Sequence, residues 1–199
     1  MILGQTTLAE VIAKYGPPLG RTATSSASPV GSDAPTGDKR PAGLRPASVP
    51  GDIEILRYTY SQASRPGVVV GPAVVQGRAL ALSFWNSRLI YFGFTSSFND
   101  DTTDFDENKV SSFVRGQTSR ADVIRELGRP SGEGIYPHVA REGTRMIAYQ
   151  YLSNTSTGTS IVGSKRVTTI KNVQFLFDSS DRLIEIYTSS TSTTTQRNF

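Results

Sequence analysis

One stretch decides the fold: FVRGQTSRADVIRELGRP, residues 113–130. It predicts a short helix whose two ends are both encoded locally. Ser119 with Asp122 three residues later is typical of a capping box at a helix start. Gly128 favours the left-handed conformation that ends a helix, and Pro130 prevents the helix from resuming.

The apolar residues of this stretch fall on one face of the predicted helix. Val123, Ile124 and Leu127 have an i, i+1, i+4 spacing, which gives an apolar face about two turns long. The helix is predicted over residues 118–127, with Thr118 as the alternative to Ser119 for the N-cap.

The same pattern occurs at the start of the chain, as GQTTLAEVIAKYGPP in residues 4–18. The two stretches share seven identities at one offset, 112 positions (116 minus 4): Gly4/Gly116, Gln5/Gln117, Thr6/Thr118, Val11/Val123, Ile12/Ile124, Gly16/Gly128 and Pro18/Pro130. We therefore interpret the chain as two copies of one module.

Period-two alternation comes after each predicted helix and indicates strands. The clearest alternating residues are Leu80, Leu82 and Phe84 in the first copy and Val173, Phe175 and Phe177 in the second. The predicted fold class is α+β, with two tandem modules of one helix and a three-stranded antiparallel meander, the helices packed on one sheet face.

The predicted organisation has five parts. They are a first module at 1–97, a disordered-type insertion within it at 19–51, an acidic linker at 98–112, a second module at 113–189 and a Ser/Thr-rich tail at 190–199. The insertion is rich in Ser, Ala, Pro and Gly and lacks apolar periodicity, so we expect irregular structure there.

The composition of the chain argues against several kinds of site and partner. The chain has no cysteine, which excludes disulfides and thiolate ligands. The net charge is +4 with scattered basic residues, so no nucleic-acid surface is predicted. No apolar run reaches the roughly 18–20 residues that span a bilayer. The acidic segment 98–112 does not have the spacing of an EF-hand loop, so we predict no metal and no cofactor.

The sequence predicts no enzyme. Its one histidine, His138, lies in a loop-like segment, and no Gly-x-Ser-x-Gly elbow is present. The Gly132-Glu133-Gly134 run precedes no predicted helix, which argues against a phosphate-binding loop.

Taken together, several motifs resemble one family. They are VRGQTSRADV at 114–123, LGRP at 127–130, the aromatic strand Tyr149-Gln150-Tyr151 and FLFDSSDRLI at 175–184. In this order they resemble the SmpA/OmlA (BamE-like) outer-membrane lipoprotein module. The first copy matches the pattern less closely, because YGPP at 15–18 replaces Leu-Gly-x-Pro. Two such modules in tandem are also similar in architecture to the beta-lactamase inhibitor protein.

The resemblance implies a non-catalytic protein of the bacterial cell envelope, in the periplasm or at the outer membrane. It would work by protein–protein contact with other envelope proteins, as a scaffold in an outer-membrane or secretion-type assembly. A signal or lipid anchor is expected to have been removed upstream of Met1. The alternative function is an inhibitor-like binder that occludes a partner enzyme with an open sheet face. These motifs specify neither the oligomeric state nor the partner.

The predicted contact surface is the sheet face opposite the helices. Large aromatic and aliphatic side chains tend to anchor interfaces. The residues assigned to this surface are Trp85, Leu89, Tyr91, Leu176, Leu183 and Tyr187. The competing interpretation is that loops or the other module cover this face.

Overall fold

A computed structural model describes residues 1–25, 39–64, 73–159 and 163–197. Its two α-helices are α1 (Leu8–Tyr15) and α2 (Arg120–Leu127), and two short 3-10 helices span Ala42–Leu44 and Glu107–Ser112. Its strands are β1 (Gly20–Ser25), β2 (Asp52–Ser64), β3 (Ala73–Trp85), β4 (Arg88–Ser96), β5 (Gly132–Ile135), β6 (Arg145–Thr159), β7 (Gly163–Phe177), β8 (Leu183–Thr188) and β9 (Thr191–Arg197).

The strands of the described ranges form one antiparallel sheet with neighbours in the order β1 to β8. Strands β8 and β9 pair with different parts of β7: β8 with residues 173–177 and β9 with residues 164–170. The sheet also closes on itself. Residues 78–85 of β3 pair with β4, while Ala73–Val75 at the other end of β3 pair directly with Asn154–Ser156 of β6. Since β4 pairs with β5 and β5 with β6, strands β3, β4, β5 and β6 form a closed ring.

The predicted fold class is therefore wrong: the chain is mostly β, not two tandem helix-plus-three-strand modules. The unequal lengths of the four ring strands explain how the sheet closes. β3 and β6 have 13 and 15 residues, whereas β4 and β5 between them have 9 and 4. The long strands extend past the short ones, and their unpaired backbone groups pair with each other instead of remaining open.

The short strand β5 fits into the ring because it carries glycine. A Cβ on Gly132 would lie 2.8 Å from the carbonyl oxygen of Phe92 in β4, closer than side chains approach a backbone. Four residues with two glycines show no clear strand alternation, so the sequence patterns do not predict β5.

The predicted insertion and the predicted Ser/Thr-rich tail both contain ordered structure. The insertion at 19–51 includes β1, which pairs with β2, and the 3-10 helix Ala42–Leu44. Residues 26–38 of that insertion lie outside the described residues. The tail at 190–199 includes β9, whose residues 191–197 pair with β7, and residues 198–199 lie outside the described residues.

Helix positions and caps agree closely with the sequence patterns. Ser119 accepts a hydrogen bond from the Asp122 N–H at 3.2 Å, and Thr7 accepts one from the Glu10 N–H at 3.2 Å. Both helices have complete capping boxes, and both end at a glycine with positive φ. The predicted Ser119 cap is confirmed.

Each helix packs on the sheet over its own hydrophobic core. The α1 core consists of Val11, Leu56, Leu82, Phe84 and Leu89, and the α2 core consists of Phe105, Phe113, Val123, Ile147, Tyr149, Val173, Phe175, Phe177 and Leu183. The opposite sheet face is covered by residues 39–50, here called the strap, and by the loop 136–143.

The strap comes from the first half of the chain but covers the second half. Leu44 is fully buried in a cluster with Met146, Val139 and Leu176. The strap and the loop 136–143 are also hydrogen-bonded to each other, Ala47 N to Pro137 O at 2.9 Å and Ala140 N to Gly43 O at 3.1 Å. The two repeated halves are therefore packed into one unit.

Candidate functional site

The C-terminal ends of both α-helices border a groove on the helix-bearing side of the sheet. Each helix end is fixed by a tyrosine hydroxyl from the sheet below. Tyr58 Oη donates to the carbonyl oxygen of Gly16 at 3.0 Å, and Tyr149 Oη donates to that of Gly128 at 2.8 Å. Burial raises the pKa of both phenols, so both hydroxyls keep the proton that makes these bonds.

The groove has a volume of about 630 Å³. This is within the roughly 300–1,000 Å³ range of ligand pockets. Apolar and aromatic side chains provide most of its lining: Tyr15, Leu80, Phe92, Phe94, Phe105, Leu127 and Tyr149. Tyr15 is 43% exposed and stands at the groove wall, with its ring 6.1 Å from the ring of Tyr58.

The segment predicted as an acidic linker forms a further wall of the groove. Phe98 and Phe105 are both buried, so this segment packs onto the sheet. The ring of Phe105 lies 5.7 Å from that of Tyr149. A backbone hydrogen bond from Thr103 N to Ser96 O at 3.0 Å attaches it to β4.

The carboxylates of this wall are already paired. Asp101 Oδ2 lies 2.7 Å from Arg78 Nε, and Asp104 Oδ1 lies 2.9 Å from Lys171 Nζ. The hydrogen bond to Asp104 is the main cause that raises the pKa of Lys171, which keeps the ammonium charged. Arg129 lines the groove, is exposed, and makes no ion pair within the described ranges.

The six residues predicted as a contact platform do not form one exposed surface. Leu89 and Leu183 are fully buried on the helix-bearing side, in the two separate helix cores. Both were assigned to the wrong face. A β-bulge close to the turn of each hairpin explains the two wrong faces. The register shifts between Ser83 and Phe84 in one hairpin and between Leu176 and Phe177 in the other. One extra residue reverses the face of every side chain beyond it.

The other four predicted residues lie on the opposite face, mostly beneath the covering loops. Leu176 is buried under Leu44 of the strap, where Tyr91 and Tyr187 pack against the same cluster. The indole of Trp85 donates to the Pro50 carbonyl at 3.0 Å and meets the Tyr136 ring edge-on at 6.1 Å. The interpretation that loops cover this face is the one the structure supports.

His138 is also held in this covered region. Its ring stacks on Tyr91 with centroids 4.0 Å apart, and its Nδ1 is enclosed without a hydrogen-bond partner. Burial, with a smaller contribution from the positive charge of Arg40, lowers the pKa of His138 to about 3. The ring is therefore neutral at neutral pH and packs as an aromatic side chain.

The parts of the chain that are described contain no group of three or more His, Asp or Glu side chains arranged as metal ligands. None of the helices within the described ranges has both the length and the apolar character needed to cross a bilayer.

Sequence reasoning missed the groove, although one signal for it was present. The last helical residue is Tyr15 in the first copy and Leu127 in the second, so the repeat places a large apolar side chain at each helix end. The distance between the two helices, which creates the space, depends on how β3, β4, β5 and β6 pair. No local pattern encodes that pairing.

Comparison with protein-family models, with curated proteins and with solved structures finds no match to this chain.

Proposed function

We propose that this chain is a non-catalytic protein-binding module and that a partner docks in the groove between α1 and α2. The observation that carries this proposal is the groove itself, an open aromatic-lined space of about 630 Å³ between the ends of two repeated helices. Aromatic side chains in a concave site commonly anchor protein interfaces.

The walls of the groove are well held, which favours binding. Both helix ends are hydrogen-bonded to tyrosines of the sheet, and Lys171 ties the 98–106 wall to β7 through Asp104 and the Phe105 carbonyl at 3.1 Å. A binding site with fixed walls loses little conformational freedom when it is occupied, so more of the contact energy appears as affinity.

We further propose that the module works in the bacterial cell envelope, as part of an outer-membrane or secretion-type assembly. Support for this location comes from the resemblance of its two helix–hairpin motifs to BamE-like modules. The alternative, an inhibitor-like binder that uses the open sheet face, has less support. The strap and the loop 136–143 cover much of the face that such a binder would present.

Site-specific photo-crosslinking in the organism that encodes the chain tests the proposal. A photoreactive amino acid replaces Tyr15 in the groove or, as the matched control, Ala9, which is exposed on the same helix outside the groove lining. We expect the Tyr15 position to give discrete crosslinks to an envelope protein, recovered with the envelope fraction, and the Ala9 position to give none.

Two outcomes would contradict the proposal. Equal crosslinking from both positions, or none from either, would show that the groove is not a docking site. Recovery of the protein and its crosslinks in the cytosolic fraction alone would refute the envelope location.

A further inference from the structure

Strand β9 forms an open edge of the sheet. It pairs with residues 164–170 of β7 on one side, and its other side pairs with no strand in the parts of the chain that the structure describes. Residues 191–195 are all exposed. An open strand edge presents a row of backbone N–H and C=O groups to which another strand can be added.

The register of β9 shows which of its backbone groups point outward. Ser189 N donates to Asn172 O at 2.8 Å, which makes these two residues a hydrogen-bonded pair of the antiparallel ladder. Two residues further on, Thr191 lies opposite Ile170, so the register continues without a shift. Odd-numbered residues of β9 therefore direct their backbone groups to β7. The even-numbered residues direct theirs away from the sheet: Ser192, Thr194 and Gln196.

The sequence of β9 lacks the features that commonly protect an open edge. Such features are proline, charged side chains, β-bulges and short length. β9 has seven residues, with no proline, no lysine and no acidic residue, and its one charged residue is Arg197 at the strand end. The strand at the other edge of the sheet, β1, has six residues, which include Gly20 and the charged Arg21. β9 is therefore the better template for strand addition.

The sequence of β9 also suits antiparallel pairing with a second copy of itself. In a pair centred on Thr194, that residue lies opposite its counterpart, and Thr193 lies opposite Thr195. Threonine pairs across strands are favourable, and β-branched residues favour extended backbone. The two Arg197 residues fall at opposite ends of the pair, each opposite Thr191, so like charges do not meet. Outward-facing residues meet outward-facing residues in this register, which allows about six backbone hydrogen bonds.

We infer that the β9 edge binds the β9 edge of a second copy of this chain, around a two-fold axis at Thr194. The sheets of the two copies then continue into each other. A two-fold contact of this kind closes on itself and gives a dimer, not a fibre. The contact is small, so the dimer is weak. No residue of β9 lines the groove, so this inference goes beyond the proposed function.

Analytical ultracentrifugation of the full chain tests the inference, at concentrations from about 10 µM to about 1 mM. We expect a monomer–dimer equilibrium. Thr194→Pro removes one outward N–H from each copy and leaves the bonds to β7 in place, so it should weaken dimerisation at least about tenfold. Thr194→Val is the matched control. It keeps the N–H and a β-branched side chain, and should dimerise within about threefold of the wild-type protein.

Disulfide formation tests the register independently. The chain has no cysteine, so a single introduced thiol can pair only with that of another copy. In the inferred dimer, Thr194→Cys places two thiols directly opposite each other, with Cα atoms about 5.5 Å apart, which is within the range that a disulfide spans. Thr22→Cys, at an exposed position of β1, is the control. We expect Thr194→Cys to form the covalent dimer at least about tenfold faster under mild oxidation.

Several results would overturn the inference. The protein would be monomeric at every concentration, or Thr194→Pro would dimerise as tightly as the wild-type protein, which would place the contact elsewhere. Equal rates of disulfide formation in Thr194→Cys and Thr22→Cys would do the same, and this result counts even if Thr194→Pro fails to fold. A monomer whose β9 edge binds an added peptide of alternating valine and threonine would identify the edge as a site for the strand of a different protein.

Discussion

The two halves of the molecule fasten helix to hairpin with the same hydrogen bonds. In the first half, Gly4 N donates to Leu89 O at 2.7 Å, and in the second, Gly116 N donates to Leu183 O at 2.8 Å. A hairpin arginine repeats as well: Arg88 Nη1 donates to the Gln5 carbonyl at 2.8 Å and Arg182 Nη1 to that of Gln117 at 2.7 Å. Identity at seven aligned positions is thus accompanied by matching backbone contacts.

The halves differ in the segment that connects the helix to its long strands. The first half has a long connection that includes β1 and the strap, and the second has a shorter one that includes β5 and the loop 136–143. These unequal segments make some of the contacts that join the halves: β5 pairs with β4, and the strap packs on Met146 and Leu176. The long strands β3 and β6 also pair directly. The repeated segments determine each half, and the unrepeated segments together with the β3–β6 pairing determine how the halves fit together.

The largest expected effect comes from weakening the strap. Leu44 is fully buried, so Leu44→Ala should destabilise the protein by about 2–5 kcal/mol through lost burial and the cavity left behind. Leu19→Ala is the control, since Leu19 is 78% exposed and should change stability by less than about 0.5 kcal/mol. Urea denaturation followed by circular dichroism measures both, and a cost below about 1 kcal/mol for Leu44→Ala would show that the strap does not hold the halves together.

Between pH 6.5 and 4.5, the acid sensitivity of stability should come from His138 in the loop 136–143. Because burial holds the pKa of His138 near 3, the unfolded chain binds a proton at about pH 6.5 that the folded chain does not. Stability is therefore lost as pH falls from 6.5 toward 3, by up to about 2 kcal/mol between pH 6 and 4.5. The partial exposure of the ring will reduce this loss.

His138→Gln tests the assignment, because it removes the titrating group. The free energy of unfolding should change less with pH between pH 6.5 and 4.5 in this variant than in the wild-type protein. Asp122→Asn is the comparison: the Ser119 and Arg125 hydrogen bonds lower the pKa of Asp122 to about 2, so its contribution is lost only below about pH 4. An unchanged slope in His138→Gln would place the acid sensitivity elsewhere.

The two tyrosine-to-helix bonds should differ in strength because they differ in burial. Tyr149 is 2% exposed, and Tyr149→Phe leaves the Gly128 carbonyl without its partner, at a cost of about 1–2 kcal/mol. Tyr58 is only partly buried, so water can replace its hydroxyl, and Tyr58→Phe should cost about 0.5–1 kcal/mol. Both costs are obtained from urea midpoints at an unchanged m value. Equal costs for the two variants would contradict this explanation.

The smallest effects should come from the helix caps, and these should be alike. Thr7→Ala and Ser119→Ala each remove a capping box at a partly exposed helix start, at an expected cost of about 0.5–1 kcal/mol. Thermal unfolding measures the loss of stability in each variant. A cost in one half more than twice that in the other would show that the two caps are not equivalent.

Much of each half could be predicted from sequence. The helix ends depend on short-range chemistry: a serine or threonine with a carboxylate three residues later, and a glycine at the end. The strand centres are visible as alternation, as in Leu80 to Phe84. The faces of Leu89 and Leu183 were predicted wrongly, because a β-bulge inserts a residue without leaving a signal in the alternation.

The candidate site could not be predicted in the same way. Its residues come from the end of α1, the end of α2, β3, β4, β6 and the segment 98–106, which are far apart in sequence. Tyr15 and Leu127 were visible as equivalent positions of the repeat. The space between them was not, because it depends on the number and pairing of the strands that separate the helices.

By itself, the sequence determined the two capped helices and the alternating strand centres, since each cap lies within a few residues and the alternation is local to each strand. The tertiary structure decided that β3 and β6 close a ring, that the strap crosses to the other half, and that a groove lies between the helices. These features arise from pairing between distant segments. Such pairing depends on strand lengths, a bulge in each hairpin and the close approach at Gly132, all of which take effect only when the whole sheet is assembled.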